Sequence, residues 1–260
     1  MIIGRVTQVI TSKEQDFVRL IIFFAFLGHA LVSLHFSDGY NLHYNIFSSA
    51  NFLNIDVTKG LFAFGIFDAT IALLYLFNIG LRFVAPIAII YLLTIGVCGW
   101  IYFIKSTGHL IGAAELFRRV PWVFSILFIW LIGLKKQKHH YLLRIGIAFA
   151  FLAHGLASLG FFGLRGGHVE LASKILSEDA ASKFVYYSGI SDSILGLMLF
   201  SGLLSRWAAI IGSLWLAFVV YLSFQTGIPE GIFRTGFLLM CLYVVIDVRC
   251  HTWKYEKVIL

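Results

Sequence analysis

Two histidines stand inside apolar stretches with matching surroundings. "AFLGHALVSLHF" at 25–36 carries His29, and "AFLAHGLASLGFF" at 150–162 carries His154. Two aspartates repeat in the same way, Asp68 closing "GIFD" at 65–68 and Asp192 closing "GISD" at 189–192. An imidazole facing a carboxylate can share a proton, pass it on, or hold a polar ring by hydrogen bonding. An interhelical hydrogen bond that ties two helices together is the plain structural use of the same pair.

Whether the residues can meet depends on the segments that carry them. Hydrophobic residues make up 60% of the 260, charged residues only 13%, and the mean hydropathy is +0.89, too apolar for the surface of a soluble globule of this size. Six runs, 20–37, 60–81, 83–104, 145–164, 184–205 and 207–229, are each about as long as the roughly 20 residues a spanning helix needs. Two shorter runs, 120–134 and 235–246, cross only if their helices start earlier, near Glu115 and Glu230, and take Arg118, Arg119 and Arg234 into the first turn or so. Pro121 and Pro229 are then tolerated near the helix starts. The expectation is an all-α integral membrane protein with eight transmembrane helices.

Laying 19–134 over 144–249 aligns Lys59 with Lys183, Gly65 with Gly189, Asp68 with Asp192, Arg82 with Arg206, Glu115 with Glu230 and Arg119 with Arg234. The chain therefore reads as two parallel four-helix repeats, 1–134 and 144–260, joined by a basic linker at 135–143. An even number of crossings per unit gives both halves the same orientation. Each unit has a long loop between its first and second helices, 37–58 and 164–182, where "NLHYNIFSSANFLNID" and "VELASKILSED" suggest short interfacial helices.

Depth arithmetic brings the polar residues together. His29 and His154 lie ten residues beyond Arg19 and Arg144, roughly 15 Å into the membrane at about 1.5 Å per residue. Asp68 and Asp192 lie nine residues beyond Lys59 and Lys183, roughly 13–14 Å in from the opposite side. All four reach mid-depth on consecutive antiparallel helices, where a charged aspartate costs on the order of 3 kcal/mol and must face protein or water. Arg119 and Arg234, with Glu115 and Glu230, are secondary ligand-binding candidates. They either snorkel to the interface or turn inward and put cations at the mouth of a cavity.

Charge and cysteine usage exclude other classes. The net charge of +7 is concentrated on the side holding Lys135, Lys136, Lys138, Lys254 and Lys257, a positive-inside bias that places both termini in the cytoplasm and argues against nucleic acid. Cys98, Cys241 and Cys250 form no C-x-x-C, so a zinc site or thiol redox centre has no support, and no metal is expected. A b-type haem between His29 and His154 is the weaker cofactor reading. His35, His43, His109, His139, His140, His168 and His251 fall at helix ends or in loops, where solvated side chains are the default.

The motifs H-x-L-x-S-L ("HALVSL" at 29–34, "HGLASL" at 154–159), G-I-x-D (65–68, 189–192) and the arginine-bearing openings "GLR" (80–82) and "GLLSR" (202–206) resemble the DoxX-like superfamily of four-helix membrane proteins, here as a tandem fused pair. The resemblance implies a membrane subunit, in a bacterial inner membrane, of a redox system linked to quinones or to thiol and oxidative stress, working with other subunits. Members often have glutamate where this chain has Asp68 and Asp192. The function expected is a redox-assembly subunit with a quinone-contacting or proton-coupled site at His29, Asp68, His154 and Asp192. A non-catalytic scaffold, or a small-solute or proton translocator, are the alternatives.

Overall fold

The computed structural model describes residues 2–36, 40–49, 55–107, 113–134, 139–161, 165–173 and 175–251; the side chains of 2–12, 107, 113–115, 165, 167, 171 and 226 lie outside the described set. The described chain is helical: α1 (Ile2–Ser33), α2 (Tyr40–Ser49), α3 (Val57–Leu76), α4 (Leu81–Thr107), α5 (Ala113–Gly133), α6 (Tyr141–Ser158), α7 (Arg165–Ala172), α8 (Glu178–Ser201), α9 (Ser205–Thr226) and α10 (Ile228–Ile246), closed by a 3-10 turn at Val248–His251. All but the short α2 and α7 are long and apolar enough to cross a membrane, eight spans among the described residues. The protein is an all-α integral membrane protein. Of the linker 135–143, residues 135–138 are outside the described set.

Local chemistry sets the helix limits. The Asp56 side chain caps α3 by accepting from the Lys59 amide at 2.8 Å. Glu178 and Asp179 place negative charge in the first turn of α8. Pro229 enters at the start of α10, where no donor is needed. Pro121 differs from expectation: α5 begins at Ala113, so the proline stands inside the helix rather than at its start.

The turns at the ends of corresponding helices share unusual backbone. α1 ends with His35 at φ 69° and the Phe36 amide donating to the Leu31 carbonyl; α6 ends with Gly160 at φ 93° and the Phe161 amide donating to Leu156. Left-handed residues also recur between α3 and α4 (Asn78 φ 59°, Gly80 φ 61°) and between α8 and α9 (Gly202 φ 82°, Leu204 φ 50°). Leu204 holds without a glycine a conformation that costs an L-residue roughly 1–2 kcal/mol.

The bundle is interlocked rather than split into two side-by-side halves. α1 packs on α3 and α6 on α8, but α1 also lies along α10, and α5 along α6. α1, α5, α6 and α10 form the centre, filled by Ile21, Ile22, Phe26, Trp122, Ile126, Ile147, Met240 and Val244. Trp122 is wedged between Phe233 and Phe237, with ring centroids 5.4 and 4.2 Å away. α4 and α9 turn residues such as Phe83, Ile90 and Leu214 outward, the apolar surface a lipid bilayer covers.

Where α10 ends, a polar clasp ties α1, α6 and α10 together. Asp247 meets His140 Nδ1 at 2.8 Å and accepts from Arg249 Nε at 2.7 Å, and Arg249 also pairs with Glu14 of α1. Burial alone would raise the Asp247 carboxyl, but the hydrogen bonds from His140 and Arg249 outweigh it and hold it well below the usual carboxylate range. His251 Nδ1 lies 2.6 Å from Ser205 Oγ. The expectation of solvated histidines therefore fails at His140, which is fully buried, and at His251.

Candidate functional site

Both proposed pairs form. His29 Nδ1 lies 2.6 Å from Asp68 Oδ2, and His154 Nδ1 lies 2.6 Å from Asp192 Oδ2. Small residues bring the helices close enough. At Gly155 an added Cβ would stand 2.7 Å from the Ser193 amide, and at Gly189 it would stand 3.0 Å from the Gly155 carbonyl, so α6 and α8 nearly touch beside His154. Nδ1 is engaged by the carboxylate in both pairs, which fixes the ring and directs the Nε2 edge away from it.

Each imidazole is covered by a second histidine that spacing alone had left to solvent. His43 of α2 contacts the Ser33 hydroxyl at 3.0 Å and tilts over the His29 ring at 4.5 Å; His168 of α7 contacts Ser158 at 2.8 Å and stacks on His154 at 4.6 Å, 24° from parallel. Burial first, then the charges of His154, Arg118 and Arg234, lower His168 to about 3, so its ring is neutral. The signal for these four residues was in the sequence. Ser33 and Ser158 follow the helix histidines by four positions, one helical turn on the same face, and His43 and His168 follow by fourteen in both halves. Elsewhere His35 stacks on Tyr40 at 4.1 Å, His139 packs edge-on against Tyr141, and His109 lies outside the described residues.

The two pairs differ in access. The His29 side chain is 12% exposed and Asp68 fully buried, with the Tyr91 hydroxyl close to the Asp68 carboxylate and Arg119 acting on it. His154 is 43% exposed over an Asp192 that is only 2% exposed. Paired positions one layer out differ too. Phe47 and Phe64 meet edge to face at 5.3 Å, and the Phe64 ring lies 5.9 Å from that of Tyr91, the residue beside Asp68. The positions 125 and 124 residues later hold Ala172 and Ser188. Trp215 stands in the place of Tyr91.

Beside the second pair, and lined in part by Ala172 and Ser188, is a cavity of about 680 Å³. His154, His168, Asp192, Ser158 and Ser188 line it with Phe184, Trp215, Phe233 and Phe237, and it reaches His29 and His43 at one side. Arg118, Arg119, Arg234 and Glu230 also line it, so the arginines turn inward rather than outward to the interface. Arg119 is 7% exposed, and Arg234 Nη1 donates to the Glu230 carbonyl at 3.3 Å. The Glu115 side chain lies outside the described residues. Among the described residues no cluster of three or more His, Cys, Asp or Glu is placed to hold a metal ion.

In comparison with protein families, residues 140–224 match the DoxX family. Over that stretch, about a third of its length, the chain is similar to DoxX proteins. The matched stretch runs from His140 through α9 and contains the open His154–Asp192 pair, its cover His168 and the cavity residues Ala172, Ser188 and Trp215. Comparison with the curated proteins and with the solved structures gives no match.

Proposed function

We propose that this DoxX-like protein is the integral subunit of a membrane redox assembly and that its cavity receives a quinone headgroup, with His154 as the proton-coupled contact. The carrying observation is the open pair: an imidazole held by a buried carboxylate at mid-span, facing an aromatic-lined space of about 680 Å³. A quinone ring fits such a space, being flat, apolar on its faces and in need of one donor at its oxygen. Asp192 sets the His154 tautomer so that the Nε2 edge exchanges the proton, and His168, neutral and bonded to Ser158, walls the ring in.

His29 and Asp68 take the structural role in this reading, since their low exposure suits a bond between α1 and α3. The halves 1–134 and 144–260 are read as copies of one unit, supported by the coincident pairs, covers and left-handed turns. Both termini are assigned to the cytoplasm of a bacterial inner membrane, supported by the lysines at 135–138 and 254–257. The test is quinone-linked turnover in membranes carrying the intact assembly. His154→Ala should abolish turnover while the assembly still forms; unchanged turnover makes the protein a scaffold.

A further inference from the structure

The cavity continues to the lipid-facing surface on one side. Along α9 the row Trp215, Val219 and Leu222 lines it, and the adjoining row Leu214, Phe218, Tyr221 and Gln225 is exposed. The two rows join at Tyr221 and Gln225, which belong to the cavity lining although Tyr221 is 61% exposed. Across the seam stand Phe184, Val185 and Ser188 of α8 and the exposed Ile175 beyond α7. α9 has 22 residues, about the length of the hydrocarbon core. Tyr221, five residues before its end, therefore borders acyl chains.

The first half is packed with rings at the corresponding seam. Phe64 and Phe67 of α3 lie 5.9 and 4.8 Å from Tyr91 of α4. α2 packs along α4 as well as α3, and Lys105 Nζ donates to the Ser49 carbonyl at 3.1 Å. In the second half the residues aligned with Phe64, Phe67 and Tyr91 are Ser188, Ser191 and Trp215. The described residues of α7 pack on α8 and α6 rather than along α9.

We propose that the seam between α8 and α9 is a lateral portal, and that the cavity takes an amphiphile drawn from the leaflet on the α7 side. Its head lies beside His154 and His168, and its apolar chain leaves over Leu222 and Tyr221 into the lipid. A chain that stays among acyl chains keeps its hydrophobic free energy, which a mouth open to water would forfeit. This rests on the cavity being the ligand site and adds the second part of the ligand and its route.

The test uses the full chain in lipid nanodiscs with a benzoquinone bearing a decyl chain, a photoreactive diazirine at the chain midpoint, and the chainless quinone as competitor. Tryptophan quenching by the chainless quinone reads occupation of the cavity, Trp215 being in its wall. Peptide mass spectrometry reads where the chain lies. Val97 of α4, aligned with Tyr221 and 42% exposed, reports labelling from bulk lipid.

Label at Tyr221 and Leu222 should exceed that at Val97 by about fivefold and fall to its level when the competitor fills the cavity. Ser191→Phe, which copies Phe67, should at least halve that label while the chainless quinone still quenches, which also shows that the variant is folded. Equal label at Tyr221 and Val97, label that the competitor leaves unchanged, or label undiminished in Ser191→Phe each overturns the portal and leaves the quinone reading standing. Failure of the chainless quinone to quench the wild type overturns both.

Discussion

His29–Asp68 and His154–Asp192 have the same 2.6 Å contact and the same serine-bound histidine cover, yet the cavity takes in both members of the second pair and only His29 of the first. The hydrogen-bonded geometry is set by the helix pair, α1 with α3 or α6 with α8. The side chains one layer out differ, Phe47 and Phe64 in the first half corresponding to Ala172 and Ser188 in the cavity wall of the second. In the reading proposed above, the volume of the neighbours separates glue from site, with the pair's own residues unchanged.

The largest test of this contrast is stability. His29→Ala removes one hydrogen-bond partner of the fully buried Asp68 and should cost about 1–3 kcal/mol, the usual cost of leaving a buried polar group short of a partner. His154→Ala, at a half-exposed ring, should cost under about 1 kcal/mol, the usual worth of an interhelical hydrogen bond in a membrane. Thermal unfolding in detergent compares them, and equal losses would erase the distinction between the two pairs.

Next in size is ligand access. Ala172→Phe with Ser188→Phe installs in the second half the rings of the first, and should weaken quinone binding by about tenfold or more as the cavity fills. Quinone titration by tryptophan quenching measures this, and undiminished affinity would place the ligand elsewhere.

The smallest effect is a pH slope. His168 is held near 3 against an ordinary value of 6.5. The unfolded chain therefore takes up a proton that the folded chain refuses. His168's contribution to stability is complete above pH 6.5 and drains away as the pH falls from there toward 3. The thermal midpoint should drop between pH 7 and pH 5, and His168→Gln should make that drop shallower. A slope identical in the variant would show that His168 is solvated.

Much of the fold was legible because a bilayer leaves few solutions. A run of about 20 apolar residues crosses as a helix, and a polar residue inside it must find a partner at its own depth. That reasoning paired His29 with Asp68 and His154 with Asp192 from their distances to flanking arginines and lysines. It failed for His43, His140, His168 and His251, since a loop position carries no depth, and only folding back of α2, α7 and the chain end buried or engaged them.

The sequence by itself determined the spans, the two matched polar pairs and the substitutions of Phe47 by Ala172 and Phe64 by Ser188, because hydrophobicity, depth and residue size are all local properties. Only the tertiary structure decided that α5 lies along α6 and α10 along α1, and hence that Arg118 lines the cavity of the other half while Phe233 packs beside His29. Helix order around a bundle depends on which surfaces fit across its centre, and that fit is a property of pairs of helices that no single segment contains.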